Sequence, residues 1–364
     1  MKISQILTEL ENYAPLSLQE SFDNSGLQVG DISQEARGIL LCLDVTEEVV
    51  EEAIALNCNL IISHHPLLFK PLKKLTGKTY IERCVIKACK HDIVVYASHT
   101  NMDNAFGGVN YHLAGKIGLQ NVRVLSPMKN CLLKLVVFVP ESHAETVRNA
   151  LFEAGAGQIG NYGSCSFNVS GSGTFRAGEH AHPYVGNLNE LHSEPEIRIE
   201  TIIPAYKKST VLRALLAIHP YEEPAYDFYS LENNWMQAGS GIVGELPHPE
   251  DEESFLQKLK TVFNLKTLKH SPLTGRQIRK IALCGGSGAF LIPDAIACNA
   301  DVFITGEAKY NDYYDVENRM LLAVIGHYES EVATKEIFYD IITKKIPNFV
   351  THFSMVNTNP VNFM

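Results

Sequence analysis

None of the eight cysteines forms a CxxC pair, and most lie inside apolar strand or helix patterns. A thiolate zinc site or a dithiol redox motif needs paired cysteines, so neither is expected. Reduced, buried thiols are expected instead. No stretch approaches the roughly 20 apolar residues that span a bilayer. The start, MKISQILTELENYAPLSL, interrupts its apolar residues with Glu9 and Glu11. It reads as an amphipathic helix and lacks the unbroken apolar region of a signal peptide. A cytoplasmic protein without membrane contact is therefore expected. Positive charge is also in short supply, with 31 basic against 41 acidic residues and a formal charge of −10. That balance argues against nonspecific binding to a nucleic-acid backbone, although net charge does not describe a local groove. The glycine-rich stretch Cys284 to Gly288 is neither a Walker A nor a GxGxxG pattern, and no short-period repeat or low-complexity segment is seen.

What remains is an ordinary globular composition, 45% hydrophobic and 20% charged, in a chain of 364 residues, long enough for two domains. From residue 38 strand and helix signals alternate. Gly38 to Leu43, Leu60 to Ser63 and Ile93 to Ala97 read as strands, and Thr46 to Leu56 and Tyr80 to Lys90 as helices. Thr46 followed by Glu47 and Glu48 is a sensible cap and first turn. The alternation returns near the end, with strands at Ile278 to Leu283, Val302 to Ile304 and Leu321 to Ile325 and a helix at Ser330 to Ile342. Such alternation predicts a mostly parallel sheet with covering helices.

The intervening region has a different order. Strands are predicted at Leu133 to Val139, Cys165 to Ser170, Ile197 to Ile203 and Ala225 to Leu231, with helices at Ala144 to Ala154 and Lys208 to Ile218. This β-α-β-β-α-β order is the ferredoxin-like arrangement. Gly171 to Ser193 reads as a long loop within it. The fold class expected is α/β, with residues 1–125 and 246–364 forming one core and residues 126–245 an inserted α+β domain.

Three clusters stand at predicted strand ends, where parallel sheets gather their ligand sites. Ser63-His64-His65-Pro66 closes the second strand, because Pro66 cannot continue a central one. Adjacent strand residues point to opposite faces, so these imidazoles suit two neighbouring metals better than one. Alone, His-His-Pro is more simply a pair of turn histidines. His99 to Asp103 follows the third strand, and Gly326 to Glu331 follows a C-terminal one. A helix starting there sets His327 and Glu331 on one face, four residues apart. Together, His64, His65, Asp103, His327 and Glu331 form a coherent imidazole and carboxylate set for two divalent ions. Zn, Fe, Mn and Ni all suit such ligands. Asp103, with two oxygens, is the natural bridge. Two ions about 3.5–4 Å apart acidify a bound water and clamp an attacked oxygen. His99 is either a polar strand-end residue or an orienting, proton-carrying group, and Glu307 either a first-turn helix carboxylate or a group facing the site. Cys284-Gly285-Gly286-Ser287-Gly288 is a tight turn or an anion-holding loop. Asp23 to Gly26 is turn chemistry first and a pocket rim second, and His219 to Pro224 offers metal-binding groups but its prolines point to a rigid turn with ordinary hydrogen bonds.

At these motifs the chain resembles the NIF-three-like family, often named GTP cyclohydrolase I type 2 homologues. The matching pieces are FDNSGLQVG, SHHP, HTNMD, CGGSGAF, FITGE and GHYESE, in order across both α/β segments. Phe22 stands where many relatives carry Trp. The resemblance implies a dinuclear site on the five residues above and a homohexameric ring with its metal sites facing an inner cavity. HPYEEPAYD and the region around it are similar to CutA and PII-like trimeric domains, which implies an oligomer-capping or regulatory insert but not copper binding. The function expected is metal-dependent hydrolysis of a nucleotide or related small molecule, with His99 or Glu307 moving protons. The alternative is a non-catalytic metal-binding or regulatory protein whose insert senses a small ligand.

Overall fold

Strands that are apolar at every position are stable only when covered on both faces. Ile39–Cys42, Leu60–Ser63 and Val94–Ala97 are buried along their whole length. They pair in parallel, with Cys42 beside Ser63 and Ser63 beside Ala97. Their carboxyl ends therefore share one sheet edge. Thr46 and Thr79 cap the intervening helices, Glu47–Ala55 and Tyr80–Lys90, by accepting from the amides of Val49 and Glu82. Each such cap contributes about 1 kcal/mol. Gly26–Val29 joins this sheet antiparallel at one edge, and Thr351–Phe353 joins in parallel beside Ile39–Leu41 at the other. The tail of the chain thus completes the sheet begun by its front.

This computed structural model describes residues 1–364. They fold as two compact units, Met1–Ser126 with Gln237–Met364, and Pro127–Met236. The first unit holds a second sheet, in which Ile278–Cys284, Val302–Thr305 and Leu321–Val324 run parallel and Trp235–Glu250 pairs antiparallel. Cys284 aligns with Thr305 and Thr305 with Val324, so these strands also end at a common edge. The expected parallel pairing holds among the three central strands of each of two sheets, and in the second sheet Trp235–Glu250 and Lys269–His270 flank them antiparallel.

The stretch predicted as one helix from Ser330 to Ile342 is divided. His327–Glu331 forms a short helix and Thr334–Lys345 a longer one. Ser330 and Glu331 are buried in the first, whereas Ile337, Phe338, Ile341 and Ile342 are buried in the second. A single straight axis does not serve both sets.

The second unit, Pro127–Met236, has strands Leu132–Pro140, Ser166–Arg176, Leu191–Pro204 and Tyr226–Leu231 and helices Ala144–Glu153 and Lys208–Ile218. Its sheet runs Ser166–Arg176, Leu191–Pro204, Leu132–Pro140, Tyr226–Leu231, with every neighbour antiparallel. Its core includes Leu135, Val137, Ile199, Ile203, Val147, Leu151 and Leu215. The loop expected from Gly171 to Ser193 is shorter, residues 177–190, because the strands extend into both of its ends: the ladder runs from Ser166 opposite Thr201 to Arg176 opposite Leu191. Gly171 to Thr174 lack apolar alternation and read as loop. Cross-strand hydrogen bonds supply what their side chains do not. At Gly173 the Glu196 carboxylate occupies the space a Cβ would take.

Candidate metal centre

Within the first unit the two common sheet edges meet. His64 and His65 lie just beyond Leu60–Ser63, where the strand alternation rule no longer applies. Their rings are 5.1 Å apart and tilted by 43°. His64 is fully buried. Its Nδ1–H donates to the Ser98 carbonyl at 2.9 Å, which leaves Nε2 as the bare nitrogen of the neutral ring. That Nε2 has no hydrogen-bond partner. It faces Asp103 Oδ1 at 3.6 Å and Glu331 Oε1 at 3.7 Å. Buried polar atoms are rarely left unpaired. Ligands on a tetrahedral ion with bonds of about 2.1 Å lie roughly 3.4 Å from one another. Three donors so spaced fit a shared cation.

The other oxygen of Glu331 serves a second group. Oε2 lies 2.9 Å from both His65 Nε2 and His327 Nε2, and those two nitrogens are 3.3 Å apart. Glu331 and His327 sit four residues apart on the short helix. Two donor groups therefore form, His64 with Asp103 and Glu331, and His65 with His327 and Glu331. Glu331 is the residue shared by both. His64, His65 and His99 form a further group of closely spaced nitrogens.

Each histidine is held from behind, the arrangement that fixes tautomer and ring orientation at metal sites. His65 Nδ1–H donates to Asp44 at 2.7 Å, His99 Nδ1–H to Asp23 at 2.8 Å, and His327 Nδ1 lies 3.1 Å from Glu307. Asp44 was not among the residues singled out from sequence, though its position two residues past a buried parallel strand was a usable signal. Asp23, in a turn that the sequence also offers as a pocket rim, stands directly behind His99. It also accepts from the Thr100 amide and from the hydroxyls of Thr100 and Ser25. Glu307 lies in a loop rather than in a first helical turn, and it accepts from the Ser287 hydroxyl. The glycine loop after Cys284 spends its amides internally. Gly285, Gly286 and Gly288 donate to Asn110, Ser330 and Thr305, so those amides hold no anion. In the other unit, His219 contacts the Phe138 carbonyl and accepts from the Tyr221 amide, as a rigid turn requires.

The charges respond to this crowding. Burial works against a charged His65, but Asp44 and Glu331 on its two nitrogens outweigh it and push the imidazole up to about 10. His327 is raised too, against its burial, chiefly by Glu331. Desolvation and the charge of Glu331 push the Asp103 carboxyl up to about 7. Glu331, despite its burial, is held well below the usual carboxylate range by the three histidines. Burial pushes the Cys284 thiol up, which disfavours a thiolate ligand at the same cavity.

A metal ion displaces protons from such ligands, so affinity should rise with pH. Asp103 sheds its proton near 7 and His65 near 10. Proton release on binding should therefore fall by about one between pH 6 and pH 8, while the His65 proton is still released at both. Calorimetric Zn(II) titration in buffers of different ionisation enthalpy measures this count, and a count independent of pH would show that Asp103 holds no proton in the metal-free site. Asp44→Ala, which frees the back of His65, should weaken metal binding by about 10- to 100-fold. A competition titration against a chelating dye reads that change.

The cluster opens on a cavity of about 630 Å³, walled by Phe22, Phe69 and Phe290 as well as by the polar groups above. The model of the Duf34/NIF3 (NGG1p interacting factor 3) family matches residues 1–360. The chain belongs to the Duf34/NIF3 family. A relative named GTP cyclohydrolase 1 type 2 homolog from Halalkalibacterium halodurans is 37% identical over 372 residues, covering 100% of both chains. One of the same name from Listeria innocua is 40% identical over 360 residues, covering 97% of this chain and 96% of its own. Among solved structures, the Bacillus cereus protein related to NIF3 superposes with a TM-score of 0.88 at 38% identity, over 100% of this chain and 99% of that one. Like that protein, this Duf34/NIF3 member is a mixed α/β structure with several sheets. No helix is long and apolar enough to cross a membrane.

Proposed function

We propose that this Duf34/NIF3 protein is a dinuclear metal-dependent hydrolase of a nucleotide or related small molecule. The observation that carries the reading is His64 Nε2, a buried bare nitrogen with two carboxylates facing it and no hydrogen bond. His64, His65, Asp103, His327 and Glu331 would hold two divalent ions, Zn or Fe, with Mn or Ni as alternatives. Such ions supply Lewis acidity to the oxygen under attack and to its nucleophile. Asp23 fixes the Nδ1–H of His99, which leaves its Nε2 to take or give a proton on the cavity side. Glu307 steadies His327 from its exposed side and can pass a proton to solvent. Phe22, Phe69 and Phe290 are exposed large apolar side chains at this cavity, a surface that accommodates a ring-bearing substrate.

In this reading residues 1–125 and 246–364 form the family core and residues 126–245 a ferredoxin-like, CutA/PII-like insert. The strand order of the second unit supports that assignment. Self-association into a homohexameric ring is expected, with a solution mass near six times 40.4 kDa. Nucleic acid is not an expected partner, given the net charge of −10.

The test is metal analysis of anaerobically purified protein, followed by a nucleotide and phosphoester hydrolysis screen with that metal restored. Turnover by the loaded protein, absent from Asp103→Ala together with the metal, supports the proposal. A fully loaded protein that hydrolyses nothing would leave the second reading, a regulatory metal-binding protein. A separate cavity in the other unit favours that one.

A further inference from the structure

The unit Pro127–Met236 carries a cavity of about 640 Å³, bounded entirely by its own residues. Glu196, on strand Leu191–Pro204, lines it and is only 9% exposed. Its carboxylate lies flush against Gly173, where any Cβ would collide with it. Oε1 accepts the Tyr221 hydroxyl at 2.9 Å. The neighbouring cations are engaged elsewhere. His192 pairs with Glu194 at 2.8 Å, and Arg198 pairs with Glu200 at 2.9 Å while lying over the Phe138 ring. Arg176, which also lines the cavity, is the exposed last residue of its strand.

A carboxylate this deeply buried is stable only when its charge is answered. Here the Tyr221 hydroxyl bonds one oxygen, and aromatic residues line the same cavity. The ring of Tyr221 stands 6.1 Å from that of Phe175 and 6.3 Å from that of Tyr184, and all three residues line the cavity. Aromatic faces attract desolvated cations, and the carboxylates of Glu196, Glu222 and Glu223 outnumber the two guanidiniums, Arg176 and Arg198, along the cavity. Glu222 on the rim adds further negative charge.

We infer that this cavity binds an organic ammonium group, seated on the Glu196 carboxylate and surrounded by the rings of Phe175, Tyr184 and Tyr221. The volume lies in the range of small-molecule sites. The inference rests on the sensing role in the second reading above and gives that role a ligand class. It is independent of the metal centre. The ammonium group can belong to a free small molecule or to a lysine of a second copy of the chain, and the two sources separate experimentally.

Choline titrated calorimetrically into the full-length protein should bind, and 3,3-dimethylbutan-1-ol, its uncharged isostere, should not. Glu196→Gln should weaken choline by at least about tenfold. Tyr184→Leu alters a half-exposed ring that contacts His143 and Tyr221, and should weaken choline several-fold even if Glu196→Gln misfolds. If choline does not bind but Glu196→Gln lowers the solution mass of the assembly, the ammonium comes from a second copy. Equal binding of the isostere would overturn the inference. So would a wild-type protein that ignores choline and has the same mass as Glu196→Gln. Metal content and hydrolysis measured on the same samples tell this failure apart from failure of the metal-centre reading.

Discussion

Glu331→Gln should lower affinity for a divalent ion by about 100-fold or more, beyond the range typical of groups that only orient ligands. Glu331 is the one carboxylate in both donor groups, with Oε1 toward His64 and Oε2 toward His65 and His327. Glutamine keeps the shape but offers one acceptor and no charge. Metal content after dialysis and a chelator competition titration both read the loss. The metal-free protein should also suffer near pH 7, by about 3 kcal/mol, because removing one partner leaves buried histidines unanswered. The sign follows from the shift. Glu331 titrates well below 4.5 in the folded state, so its stabilisation is present above that pH and fades as the pH falls further. Glu331→Gln should therefore differ most from the parent at neutral pH and converge with it in acid. Urea unfolding of both proteins at pH 7 and pH 3 tests this. The imidazole of His65 should also fall from about 10 toward its ordinary range, visible in its NMR titration.

Gly286→Ala should impair metal binding without altering any ligand. Gly286 has φ +58°, and a Cβ there would overlap Glu331 Oε1. Alanine must push the carboxylate away from His64 or distort the loop that holds it, and a 1 Å displacement of a ligand disrupts a site whose geometry must be held more tightly than that. An affinity loss of about 10- to 100-fold is expected, comparable to losing an orienting group. Gly275→Ala supplies the control. Its φ is +73°, but open space surrounds it. It should cost only the backbone term, about 1 kcal/mol, and leave metal binding unchanged. Equal metal affinity in Gly286→Ala and the parent would show that the glycine loop does not position Glu331.

Much of the first unit was legible in the chain because its signals are local. Thr46 caps the helix it precedes, and runs such as Leu60–Ser63 are buried without alternation. The strand Ser166–Arg176 was not legible beyond Ser170, since its Ser and Gly residues carry no pattern and its ladder with Leu191–Pro204 lies elsewhere in the sequence. Short edge strands such as Thr351–Phe353 owe their conformation to a neighbour hundreds of residues away.

The same division holds at the candidate metal centre. Residue types and their places at strand ends follow from sequence, because what ends a strand is a property of a few neighbouring residues. His64, His65, Asp103, His327 and Glu331 could be named on that basis. Which of them meet could not, since His65 and Glu331 are 266 positions apart and approach to 2.9 Å only when two sheet edges face each other. Tertiary structure alone made Glu331 the residue common to both groups, where sequence favoured Asp103 as the bridge. It also brought Asp44 and Asp23 behind the histidines. Chain chemistry sets which atoms can donate, but distance and direction between remote segments arise only when buried apolar surfaces pack in one arrangement.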